Sequence, residues 1–403
     1  MDTQMTMTAA AFEADFAYDR PALLARRNAK WRQYDPDVIP AFVADMDFRV
    51  APAIQAAIRA SVDAEDYGYP MRDGKKADRA VLEAFAHRMK GLYGWEAQAD
   101  LSMAIADLVQ ATFASVMAFT QPGDGVIVQV PNYPPFRAAV NDTGRSFVPM
   151  PMKPEGDGYV FDLDQLAATM PPSTRMLILC NPQNPTGRVF SRAELQAVLA
   201  FAQKHDLLVL SDEIHSDLIY AGNTHLPFAA LGPAAEARTI TLNSATKSFN
   251  IPGLRTAVIN FGTEALKARF ERHFPARVVG SVNSLGIDAT VAAWQDSSDW
   301  LCGLIAHLSA MRDHVYTRIT RDIPMIRMKK PEATYLTWLD CSDLGLSGTA
   351  FDFFHTHARI GFSPGENFLP GAERLVRLNF ATSRVIIDEM IDRMAEAVQR
   401  NTR

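Results

Sequence analysis

The 403-residue sequence predicts an α/β layered fold with a largely parallel sheet, joined to a smaller α+β part. Three observations predict it. Short, β-branched, non-alternating apolar runs recur through the middle of the chain; helix-like segments separate them; and the C-terminal third breaks that rhythm. Strands covered on both faces read as continuous apolar runs, and strand–helix alternation is the pattern of parallel sheets.

Five runs read as buried strands: Gly125–Val130 (GVIVQV), Arg175–Cys180 (RMLILC), Leu207–Asp212 (LLVLSD), Arg238–Leu242 (RTITL) and Thr256–Phe261 (TAVINF). The clearest helix is SRAELQAVLAFAQKHD. Ser191 and Glu194 have the spacing of a capping box, and Leu195, Val198, Leu199 and Ala202 form one apolar stripe. ADLVQATFASVMAF opens a second helix at Asp107. In the C-terminal third, YLTWL and RLVRLNFA read as strands and IIDEMIDRMAEAVQ as a closing amphipathic helix. No internal repeat, low-complexity tract or long linker interrupts the chain.

The chain is too long for one ordinary domain of about 100–200 residues. With 48% hydrophobic and 21% charged residues it can bury a large core. A net charge of −6 argues against nucleic acid or an anionic membrane as partner. The start, MDTQMTMTAAAFEADF, shows neither the basic nor the apolar region of a secretory leader, and no apolar run reaches the roughly 18 residues of a membrane span. Cys180, Cys302 and Cys341 lie far apart with no metal-ligand spacing, which predicts reduced thiols, no metal site and a cytoplasmic protein.

Ligands of such sheets sit beyond the carboxyl ends of the strands. Here those ends deliver an unusual set: Tyr133 after GVIVQV, Asn184 after RMLILC, Asp212 closing LLVLSD, and Lys247 after RTITL. The helix start at Asp107 leaves the N–H groups of Leu108 and Val109 free for an anion. Singly, each has a plainer reading. Lys247 would be a surface lysine, Asp212 a helix cap, Asn184 a turn residue and Tyr133 a packing aromatic. Together they match the needs of pyridoxal phosphate. That cofactor needs a lysine for its aldehyde, a carboxylate for its ring nitrogen, a ring on its face, a donor to its phenolate and a phosphate cup.

The sequence resembles the fold-type I, class I/II aminotransferase family of pyridoxal phosphate enzymes, and within it the cystathionine β-lyase-like C–S lyase branch. The motifs run through nearly the whole chain: KWRQY…IPAFVADMDF, YGYP, PGDGVIVQVPNYPPF, NPQNPTGRVF, SDEIHSDL, SATKSFNIPGLR and VRLNFAT. The resemblance implies a large cofactor-binding domain over residues 50–285 and a small domain made of 1–49 and 286–403. It implies that Lys247 holds the cofactor covalently and later moves protons, and that Asp212 pairs with the ring nitrogen. Asn184 and His215 would lie at the ring oxygen and Tyr133 on the ring face. Ser244 and Arg255 would grip the phosphate with the N–H groups of Leu108 and Val109. Tyr69, rather than Tyr67, would reach the phosphate of a second subunit, so the implied unit is a homodimer. Arg377 would clamp the carboxylate of a small amino-acid substrate, a task suited to a guanidinium. The loop at Ala44 would cover that substrate.

The implied reaction is cleavage of cystathionine, cysteine or another S-substituted cysteine to a thiol, pyruvate and ammonia. An aminotransferase needs the same residues and is the first alternative. A non-catalytic cofactor-binding regulator is the second, although the chain lacks a helix-turn-helix before ADMDF. One departure stands out. The family has glycine, or serine in some branches, where this chain has Asp107, which reads either as an N-cap or as a change in phosphate geometry.

Overall fold

The computed structural model describes residues 7–72, 74–156 and 158–401. The first six residues of the stretch inspected for a leader lie outside these. Eight strands form the principal sheet: β1 Ser102–Ile105, β2 Gly125–Val130, β3 Ser146–Glu155, β4 Gly158–Phe161, β5 Thr174–Cys180, β6 Leu208–Asp212, β7 Thr239–Asn243 and β8 Ala257–Phe261. Their spatial order is β1-β8-β7-β6-β5-β2-β3-β4. The run β7-β6-β5-β2-β3 is parallel, while β8 is antiparallel to both neighbours and β4 turns back along β3.

The five predicted strands are all present, within a residue or so of their expected ends. Their lack of alternation has a direct cause. Val126, Val128 and Ile178 point into one apolar layer, and Ile127, Leu177 and Leu179 into the layer on the other face. Each such side chain, removed from water, contributes about 1.5–3 kcal/mol before the entropy of ordering it is counted. The pattern missed β1 and β4, each only four residues long, and β3. In β3, Pro149 and Pro151 hide the strand signal. They lie two apart, so their missing N–H groups face one side, and over residues 146–151 β3 pairs only with β2.

The capping box forms as expected. Ser191 Oγ accepts from Glu194 N–H, and Glu194 returns the bond to Ser191 N–H at 2.7 Å. The chain leaves β2 outward toward β3 but leaves β5 the other way toward β6. The carboxyl ends of β2 and β5 therefore flank a crevice, where such sheets bind ligands.

A second, antiparallel sheet joins Arg327–Met328, Leu336–Asp340, Leu375–Asn379 and Ser363–Pro364. The helix Ser298–Asp322 packs against the closing helix Arg384–Asn401 and against the N-terminal helix Ala9–Phe16. Ile39–Pro40 pairs in parallel with Ile360–Gly361, so the N-terminal segment is woven into the C-terminal part. No helix among the described residues is long and apolar enough to cross a membrane.

Candidate active site

The crevice opens into a cavity of about 280 Å³. The loop after β2 brings Tyr133, the turn after β5 brings Asn184, the end of β6 brings Asp212 and His215, and the turn after β7 brings Lys247. Leu108 and Val109 enter from the helix Leu108–Phe119, Arg377 from the second sheet, and Ala44 from the N-terminal segment. Residues spread over most of the chain meet in one pocket.

Asp212 and Arg377 are buried and Lys247 is half-buried, and these charges are poorly neutralised. Asp212 is 4% exposed, and the partner its carboxylate finds is Ile214 N–H at 3.1 Å. Burial pushes its pKa up to about 7, and Glu213 adds to the rise against the nearby Lys247. Lys247 Nζ donates to Ala44 O at 2.7 Å, a neutral acceptor. Burial lowers its pKa to about 8, aided by Arg377 and opposed by Asp45 and Asp212. His215 is held neutral, its pKa pushed down to about 3 by burial and by Lys247 and Arg377, and its Nδ1 has no partner among the described residues.

Arg377 is organised rather than neutralised. Nη1 donates to Asn184 Oδ1 at 3.0 Å, and Nη2 donates to Phe42 O at 2.5 Å and Ser363 Oγ at 3.1 Å. Its Nε has no partner among the described residues, and its guanidinium lies 4.8 Å from the Phe368 ring centroid. Burial lowers its pKa to about 10, so it stays cationic at neutral pH. Tyr133 meets Phe136 edge-on at 5.7 Å, and burial raises its phenol pKa.

Two of the candidate residues do not line this cavity. Ser244 is not in the cavity wall: it caps the short helix Ala245–Ser248, donates to Thr256 O at 2.6 Å and shares a 2.8 Å hydrogen bond with Thr246 Oγ1. Thr246 lines the wall in its place. Tyr69 is fully exposed and away from this cavity. Arg255 does line the wall, at the helix start, where Asp107 meets it. Asp107 is an N-cap: its Oδ1 accepts Gln110 N–H at 2.8 Å.

Sequence reasoning missed Thr246, Cys180, Ile214, Pro135 and Phe136 in the wall. Each lies within three residues of a residue it did find or, for Cys180, at the strand end it named.

The donor set suits a planar, anionic, aldehyde-bearing heterocycle. A buried carboxylate with no cationic partner among the described residues, a half-buried amine, an orphaned imidazole nitrogen and a helix start with N–H groups to spare are what such a group would satisfy. The family aminotransferase class I and II matches over residues 44–396. The chain belongs to that family. Among members of this family, cystathionine β-lyase PatB of Bacillus subtilis (strain 168) is 32% identical over 94% of this chain and 98% of its own. The crystal structure of OvoB is 37% identical, covers 93% of this chain and 96% of that one, and superposes with a TM-score of 0.87. Cystalysin from Treponema denticola, whose crystal structure contains a pyridoxal 5′-phosphate cofactor, is 28% identical, with 96% and 99% covered and a TM-score of 0.88.

Proposed function

We propose that this class I and II family member is a pyridoxal phosphate-dependent carbon–sulfur β-lyase. The observation that carries the reading is the convergence in one cavity of buried Asp212, buried Arg377 and half-buried Lys247, none of them in an ion pair among the described residues. Family membership and the lyase names of similar proteins support it.

Pyridoxal phosphate, when bound, supplies an aldehyde for the substrate amine and a protonated ring that withdraws electrons from Cα. Asp212 is the group that keeps a proton at the ring nitrogen. Its proton affinity, raised by burial, makes sharing that proton favourable near neutral pH. Asn184 serves the ring oxygen, and neutral His215 adds no charge beside it. Tyr133 covers the ring face. Arg255 and the Leu108 and Val109 N–H groups would hold the phosphate, with the hydroxyls of Ser244 and Thr246 nearby in the same turn.

Arg377 receives the substrate carboxylate as a two-pronged donor; its bonds to Asn184 and Ser363 fix its plane beforehand. Lys247 Nζ takes the α-proton. Its pKa of about 8 leaves a usable fraction of free amine at neutral pH, where an ordinary lysine has almost none. Loss of the α-proton and of a β-thiolate, followed by water, converts R–S–CH2–CH(NH3+)–COO− to a thiol, pyruvate and ammonium. Cystathionine, cysteine and other S-substituted cysteines have the required leaving group. Residue Ala44 and its neighbours close over that substrate.

The working unit in this reading is a cytoplasmic homodimer, in which exposed Tyr69 reaches the partner's phosphate. Residues 50–285 form the cofactor domain, and 1–49 with 286–403 the small one.

The test is incubation with cystathionine and a panel of S-substituted cysteines, with no keto acid added. Equal, continuing release of thiol and pyruvate is expected. A single turnover that stalls until a keto acid is supplied would instead make the protein an aminotransferase.

A further inference from the structure

We infer that Asp107 sets how tightly this site holds the phosphate of its cofactor, by occupying the arginine that the phosphate needs. The inference rests on the pyridoxal phosphate reading above and concerns one residue of the cradle.

Asp107 uses both carboxylate oxygens. Oδ1 accepts Gln110 N–H at 2.8 Å, and Oδ2 lies 2.5 Å from Arg255 Nη2. The side chains are 32% and 61% exposed, so water reaches the pair and a ligand can compete for it. The other two cations in the wall are committed elsewhere, Lys247 to Ala44 O and Arg377 to Asn184, Phe42 and Ser363.

The backbone from which Arg255 reaches Asp107 is held in place. It is left-handed, with φ +47°, a conformation that a non-glycine residue holds only when its surroundings impose it. They do so on both sides: Leu254 O accepts Asn283 Nδ2 at 2.7 Å, and Thr256 O accepts Ser244 Oγ at 2.6 Å.

A phosphate on the N–H groups of Leu108 and Val109 therefore sits beside a fixed carboxylate and must share a guanidinium with it. The helix start still attracts an anion, but the side-chain charge there sums to zero. An uncharged residue at 107 would leave Arg255 wholly to the phosphate.

Asp107→Asn isolates the charge, because asparagine is an equally good N-cap and nearly the same shape. The full-length chain, stripped of cofactor, is titrated with pyridoxal phosphate and with pyridoxal, which lacks the phosphate. Binding is read by equilibrium dialysis and tryptophan quenching. At low ionic strength, Asp107→Asn should lower the Kd for pyridoxal phosphate by about tenfold or more and leave that for pyridoxal unchanged. The ratio of wild-type to variant Kd should widen from pH 5.5 to 7.5, because the phosphate takes its second charge near pH ~6. Asp107→Ser, also a good cap, should reproduce the gain and substitutes should the asparagine variant fail to fold.

An unchanged or weakened affinity, or the same gain for both ligands, would reduce Asp107 to a cap and overturn the inference while leaving the cofactor reading intact. A wild-type chain that binds neither ligand would remove both.

Discussion

Two groups of charge hold on to the segment 42–48, meeting at the carbonyl of Asp45, and they are built differently. On one side, Lys30 and Asp47 form an ion pair of 2.8 Å, with side chains 1% and 2% exposed. Nothing there lacks a partner: Trp31 Nε1 donates to the other Asp47 oxygen at 2.7 Å, and Lys30 also donates to Asp45 O at 3.2 Å. Asn250 completes the clamp on the backbone of Met46 and Phe48. On the other side, Lys247 and Arg377 reach the carbonyls of Ala44 and Phe42, and Asn379 those of Val43 and Asp45, while Asp212 has a single N–H partner among the described residues. The first group is closed on itself and holds the segment. The second borrows carbonyls from that segment and keeps its charges available for a ligand. Burial of charge alone thus says little; whether the charge is satisfied within the protein separates a structural pair from a reactive site.

That contrast can be broken from the structural side first, where the largest effect is expected. Lys30→Met leaves Asp47 as an uncompensated buried charge and should cost about 3–5 kcal/mol in chemical denaturation, with Lys30→Met/Asp47→Asn recovering part of it. A loss below ~1 kcal/mol would mean the pair is not what secures the segment.

The opposite sign is expected at Asp212. Its folded pKa, about 7, lies above the unfolded value of ~3.9. Its neutral form is favoured by folding, so the cofactor-free protein loses stability as pH rises between those values. Asp212→Asn should therefore stabilise the cofactor-free chain by as much as ~4 kcal/mol above pH 7, and by almost nothing below pH 4. A benefit that does not change with pH would show that the carboxylate is neutralised within the protein after all.

A smaller effect, confined to substrate binding, is expected at Arg377. Arg377→Lys keeps the charge but loses the fork, and should raise KM for an amino-acid substrate about ten- to a hundredfold with little change in Tm. A fall in kcat with KM unchanged would move Arg377 from substrate binding to the chemistry.

Much of this was legible in the sequence. The central strands were readable because both faces are covered, and their ends pointed to Tyr133, Asn184, Asp212 and Lys247, which the fold brings together. Arg377 and Ala44 came through motif resemblance, since no local pattern says that a strand from one sheet faces a lysine from another. The Asp107–Arg255 pair was hidden for the same reason: a cap is a local signal, an ion pair across the fold is not. The motifs containing Lys30 and Asp47 were visible, yet a fully buried lysine runs against ordinary expectation until its partner is seen. That Thr246 rather than Ser244 lines the cavity was not readable, because the spacing of a serine three before a lysine says nothing of which hydroxyl of the turn faces the crevice.

Everything on the reactive side depends on Lys247 Nζ meeting the cofactor's aldehyde. Borohydride treatment of the purified protein loaded with pyridoxal phosphate, followed by peptide mass mapping, reads this directly. One adduct per chain is expected, on the peptide that carries Lys247, and none in Lys247→Ala. An adduct spread over surface lysines, or the same labelling in the alanine variant, would contradict it.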